Sequence, residues 1–156
     1  MGNWKFVCIV QSKNITENNI FRVAAGCSLL IETRRDSMGG YLLNQAAVRY
    51  KIPLLYAWLG EVDGTLATFW PGQGPCLACA FPVSLPDQPS ALMGPLPGIL
   101  GSLLALEALR LLGGLPSALL GRRLTFRGRV FTFKEEPLPA NPHCHVCGHL
   151  YQEQAS

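Results

Sequence analysis

The sequence predicts an α/β fold: a parallel sheet covered by crossover helices, then a β-hairpin and two cysteine-bearing loops. Three observations carry this. The first sixty residues alternate apolar strand-like and helix-like segments, which is the rhythm of crossover units. "RLTFRGRVFTFK" alternates on both sides of Arg127-Gly128, as a hairpin does. Cys76-x-x-Cys79 and Cys144-x-x-Cys147 each place two thiols in one short loop.

The elements follow in order. "KFVCIV" (Lys5 to Val10) reads as a buried strand. Thr16 is placed to N-cap a short helix, "ENNIFRVAA", that Gly26 ends. "SLLIE" (Ser28 to Glu32) is a second buried strand, and a helix runs from about Tyr41 to just before Pro53. "LLYAWL" (Leu54 to Leu59) is a third strand, and "TLATFWP" (Thr65 to Pro71) a fourth after a turn at Asp63-Gly64. Val83 to Pro97 carries four prolines and reads as an irregular crossing segment. "GILGSLLALEALRLLGG" is the strongest helix, closed by Gly113-Gly114. Leu103, Leu104, Leu106, Leu109, Leu111 and Leu112 give it apolar surface all round, so it is expected to be nearly engulfed. A tail loop holds the second cysteine pair.

The 156 residues suffice for one domain with a core. Apolar residues are 49% and charged residues 15%, a globular balance leaning towards burial or a subunit interface. A net charge of +3 with scattered basic residues argues against nucleic acid. Arg122, Arg123, Arg127 and Arg129 read as a solvated hairpin face. "MGNWKFVCIVQSK" has no basic n-region and only a short apolar run, so it does not read as a signal peptide. A cytoplasmic setting is therefore expected, where disulfides are rare. The charge-free stretch Ala91 to Leu106 is shorter than the ~20 residues of a membrane span, so no membrane is expected.

Two Cys-x-x-Cys turns in a reducing compartment point to structural zinc on Cys76, Cys79, Cys144 and Cys147, four thiolates filling a tetrahedral shell. A redox pair is the competing reading, but Cys76 follows Gly-Gln-Gly-Pro and is expected in a loop rather than at a helix start. His143, His145 and His149 crowd the second pair and read as bystanders. Cys8 and Cys27 read as packing thiols.

"GEVDGTLATFWPGQGPCLACAFP", "GPLPGILGSLLALEALRLLGG", "GRRLTFRGRVFTFK" and "NPHCHVCG" occur in the order and spacing of one family. From about Asn14 to Gly148 the chain resembles the C-terminal half of the ThiF/MoeB/HesA adenylyltransferases, relatives of the ubiquitin-activating enzymes. The resemblance implies a partial Rossmann-like, ThiF-type sheet with zinc-knuckle loops, in a homodimer or beside a partner subunit. It implies ATP- and Mg²⁺-dependent adenylation of the C-terminal glycine of a ubiquitin-like sulfur-carrier protein, whose tail would lie under the crossing segment between Pro86 and Pro97. That segment holds no cysteine, so a thioester or persulfide step there is not expected.

The family's Gly-x-Gly-x-x-Gly loop has no counterpart in the 156 residues, so residues 1–156 are expected to be a single truncated domain, not competent alone. The family's Asp-x-x-Asp-Asn-x-x-x-Arg meets "ETRRDSMGGYLLN". Ungapped, its second Asp falls on Arg35 and its Arg on Gly40. With a one-residue gap, Asp36 and Ser37 take the Asp-Asn positions and become the candidates for catalysis and nucleotide-metal binding. Asp36 as a simple helix cap is the competing reading. The alternative for the whole chain is a non-catalytic, zinc-stapled module that docks a partner subunit or carrier.

Overall fold

The computed structural model describes residues 14–33, 37–82 and 91–152. The expected strand at Lys5 to Val10, and with it Cys8, lies outside them.

The first helix, α1, spans Ile20–Ala24. The Thr16 carbonyl accepts from the Asn19 and Ile20 N–H groups, at 3.1 and 3.0 Å. Asn19 Oδ1 in turn accepts the Thr16 N–H at 2.9 Å. The turn is thus closed by the Asn19 side chain reaching back, and Asn19 rather than the expected Thr16 stands at the N-cap of α1. Strand β1, Leu30–Glu32, follows, and helix α2 spans Ser37–Tyr50. It starts four residues earlier than the sequence suggested, because Gly39 and Gly40 are carried inside its first turn. Strand β2, Leu54–Leu59, matches the expected segment, and β3 is Asp63–Phe69.

β1 pairs with β2 in parallel, Leu30 opposite Leu54, with α2 as the crossover. The remainder of the sheet is antiparallel: β2 pairs with β3, β3 with β4 (Arg122–Arg127), and β4 with β5 (Thr132–Pro137). The strand order is therefore sequential, β1-β2-β3-β4-β5. β4 and β5 form the expected hairpin, with Arg122–Glu135 and Arg123–Glu136 ion pairs at 2.7 and 2.8 Å on its open surface.

Alternation along β2 and β3 builds two cores. Leu54, Tyr56, Ala67 and Phe69 face α1 and α2, where Ile20, Leu42, Leu43, Ala46 and Ala47 meet them. Leu55, Leu66 and Phe126 face the other way. That second face receives α4, Pro95–Leu112, through Leu96, Leu100, Leu104 and Ala108. Gly64 permits the approach, since a Cβ there would overlap the Leu100 side chain.

α4 is long and apolar enough to cross a membrane by length and composition. It packs on the sheet instead, with a charged side chain, Glu107, inside the interface. The expected engulfment does not occur. Leu106, Leu109 and Leu112 are 57, 50 and 48% exposed. Only one face of α4 meets the sheet, and no described element covers the other.

Candidate metal centre

The first cysteine turn grows out of the end of β3. The loop after it closes on itself through Trp70 N–H to the Pro75 carbonyl (3.1 Å) and Gly74 N–H to the Trp70 carbonyl (2.7 Å). Cys76 then caps a one-turn helix, α3, Leu77–Ala80, with Cys79 inside it. This corrects the sequence reading, which placed the pair in a loop: Cys76 does open a helix. Local geometry therefore does not separate a redox pair from a metal site, and the partner thiols must.

The second turn lies in the tail, just before helix α5, His149–Gln152. Gly148 N–H donates to the Cys144 carbonyl at 2.8 Å and Cys144 N–H to the Asn141 carbonyl at 3.0 Å. Gly148 is required here, because a Cβ would sit 2.6 Å from both the Pro142 and Cys144 carbonyl oxygens. The Tyr151 hydroxyl donates to the Gly74 carbonyl and binds the tail to the first loop.

The two turns bring four thiols together. Cys76 Sγ lies 3.8 Å from Cys79 Sγ and 3.8 Å from Cys144 Sγ, and Cys79 Sγ lies 3.5 Å from Cys147 Sγ. All four sulfurs fall within 4.8 Å of one another. A tetrahedron with sulfur about 2.3 Å from its centre has edges near 3.8 Å, so these separations are consistent with four thiolates around one zinc ion. The cysteines are free thiols rather than disulfides, and Cys76, Cys144 and Cys147 are buried. A hydrogen bond from the Cys76 thiol holds Cys79 down to about 5, while burial pushes Cys147 up to about 12. One sulfur of the set is thus already biased towards the thiolate that a metal needs. His143, His145 and His149 are exposed and stand outside the four-sulfur group.

Asn44, on α2, is a partner of the cysteines that sequence reasoning missed. It is buried. Its Oδ1 accepts the Leu77 N–H at 2.9 Å, capping α3 from outside, and its Nδ2 donates to Cys76 Sγ at 3.8 Å. A polar residue on the buried face of a helix was the available signal. The remaining thiol expectation is overturned: Cys27 is exposed, its Sγ 3.7 Å from the Val23 carbonyl, and packs in no core.

The candidate nucleotide residues stand differently. Asp36 lies outside the described residues. Ser37 opens α2, and its side chain is not described. Just before them, Glu32 is buried at the carboxyl end of β1, opposite Tyr56. Burial and the Glu32 charge push the Tyr56 phenol up. In open α/β sheets, ligands sit outside the carboxyl ends of the parallel strands, and Glu32 stands at that end of β1.

Known proteins are similar to this chain in sequence and in fold. The chain is 36% identical over 144 residues to "Adenylyltransferase and sulfurtransferase MOCS3-1" of Drosophila pseudoobscura pseudoobscura, covering 88% of the chain and 32% of that protein. It is 33% identical over 140 residues to "SAMP-activating enzyme E1" of Haloferax volcanii, covering 86% and 52%. The chain therefore spans about a third to a half of the curated relatives it matches. Among solved structures, E. coli MccB with MccA-N7isoASN superposes with a TM-score of 0.74 at 16% identity, over 88% of this chain and 45% of that one, which shows the shared fold. The ThiF family model matches residues 6–146, and the chain belongs to the ThiF family.

Proposed function

We propose that this chain works as part of a ThiF-type adenylyltransferase, activating the C-terminal glycine of a ubiquitin-like sulfur carrier with ATP. The observation that carries the reading is the family match across residues 6–146. In the reaction the carrier carboxylate attacks the α-phosphate in line, the bond to the β-phosphate oxygen breaks, and pyrophosphate leaves. Protein catalysis of such a step consists of positioning and charge neutralisation. ATP would supply the adenylyl group, and Mg²⁺ would neutralise its phosphates. Asp36 and Ser37, after β1, are the residues proposed to face them.

Phosphates are held by backbone N–H groups at a helix N-terminus, together with cations. The 156 residues contain no G-x-G-x-x-G sequence, so we propose that this element is supplied by another segment or chain. The four cysteines hold zinc as a structural staple, in a reducing, cytoplasmic setting. The uncovered leucine face of α4 supports a homodimer or a partner subunit.

The test is ATP–pyrophosphate exchange with a glycine-terminated carrier, with and without a polypeptide bearing the phosphate loop. Carrier-dependent exchange requiring the added polypeptide is the expected result. No exchange in either arm would overturn the adenylyltransferase reading; exchange by the chain alone would overturn its need for the loop. Zinc on the same sample should be one per chain and lost in Cys76→Ser or Cys144→Ser. Zinc unaffected by either change would refute the staple.

A further inference from the structure

A groove of about 390 Å³ opens between α1, the last turns of α2 and the second cysteine turn. Its volume lies within the ~300–1,000 Å³ usual for binding sites. Phe21, Val48 and Val146 make its apolar part, and Gln45, Arg49 and His149 bring an amide, a guanidinium and an imidazole. Among the described residues, no carboxylate lines it. Gln45, Val48 and Arg49 stand at i, i+3 and i+4 on α2, so one helix face presents all three.

The Arg49 guanidinium lies 4.8 Å above the centre of the Phe21 ring. That stacking fixes the guanidinium while leaving its N–H edge open. Among the described residues, no carboxylate lies within ion-pair distance of Arg49. The backbone that carries the ring is tied to α2: the Tyr50 hydroxyl donates to the Phe21 carbonyl at 2.8 Å. On the opposite wall, Val146 and His149 flank the buried Cys147 and are set by the cysteine turn.

A preset, unneutralised guanidinium beside apolar surface fits a carboxylate attached to hydrocarbon. A bare phosphate would use the guanidinium and leave Phe21 and Val146 uncovered. The net charge of +3 favours the approach of an acidic partner. We propose that this groove docks an acidic peptide segment of a partner protein, with a carboxylate on Arg49 and a neighbouring apolar side chain against Phe21, Val48 and Val146. One wall belongs to the cysteine turn, so docking depends on that turn being in place.

The test uses the full, metal-loaded chain and a fluorescein-labelled peptide, Ac-Asp-Phe-Glu-Leu-Asp, followed by anisotropy. Saturable binding that weakens with added NaCl is expected. Arg49→Ala should weaken it about tenfold or more, and Arg49→Glu should abolish it. Arg49 is exposed, and an unchanged circular dichroism spectrum separates lost docking from lost fold. Val146→Ala serves as a second variant and should weaken binding with no change in its salt dependence. The proposal is overturned if Arg49→Glu binds as the parent does, or if a peptide with lysine in place of the acidic residues binds equally. Inorganic phosphate or single-stranded RNA displacing the peptide stoichiometrically would also overturn it, in favour of an anion site. No ATP or carrier enters the assay, so its outcome is independent of the adenylation reading.

Discussion

Asn44 shows how much of the four-thiol cluster depends on a residue outside it. Its amide oxygen holds the N–H of Leu77 and its amide nitrogen meets Cys76 Sγ, so one side chain fixes both the helix and the thiol it presents. Groups that orient metal ligands usually contribute ~10–100-fold in metal affinity. Asn44→Ala should therefore release zinc to a competing chelator about tenfold more readily, and lower stability by about 1–3 kcal/mol through the orphaned N–H. Unchanged chelator competition would refute this. Glu107 is a second case. Its carboxylate accepts from Thr68 Oγ1 at 3.2 Å, from the Ser117 hydroxyl, and from the Ala118 and Leu119 N–H groups at 3.0 and 3.3 Å. It therefore ties α4 to β3 and to the segment before β4. Glu107→Leu should cost about 3 kcal/mol in urea denaturation, because it leaves those donors unmet. Glu107→Gln, which keeps one acceptor oxygen, should cost clearly less, and equal losses would sink the account. The four cysteines were legible in the sequence because each pair is a local turn with its own spacing. Asn44 and Glu107 were not, because their partners come from distant segments and no spacing encodes them.

At the level of elements, the strands read well because alternation is strict where a sheet has two covered faces. β2 sends Leu54 and Tyr56 to one core and Leu55 to the other, and the sequence showed it as a continuous apolar run. The parallel pairing of β1 with β2 followed from the crossover helix between them. The helix reading failed in one respect: an apolar surface does not say whether it faces the core or a partner. α4 has both kinds. Leu100→Ala, on the sheet side, should cost about 2–5 kcal/mol. Leu106→Lys with Leu109→Lys, on the open side, should leave the fold intact and abolish self-association in sedimentation. A wild-type chain that remains monomeric at high concentration would remove the homodimer from the reading, and a doubly substituted chain that fails to fold would place that face in the core.

For the whole molecule, the question is how far the cysteine cluster carries the tail. The body has two large cores on either side of the sheet, and neither contains a cysteine ligand. The third cluster is small: Val48, Ala78 and Leu150 around Cys76, Cys144 and Cys147. Among the described residues, the Leu138 N–H to the Gly121 carbonyl at 2.7 Å, the Tyr151 hydroxyl to Gly74, and Leu138 packed against the first core also tie the tail. Structural zinc in small peptides contributes on the order of 10 kcal/mol to folding, far more than those two hydrogen bonds at about 1 kcal/mol each. Removing the metal should therefore free the tail and the wall of the Arg49 groove while the sheet persists. Chelation should speed proteolysis within residues 138–152, leave most amide protection in β2 and β3, and cancel binding of the acidic peptide. Loss of protection across the sheet would instead make the metal part of the main fold. Proteolysis indifferent to chelation would mean that packing of Leu150 and Val48 holds the tail without it.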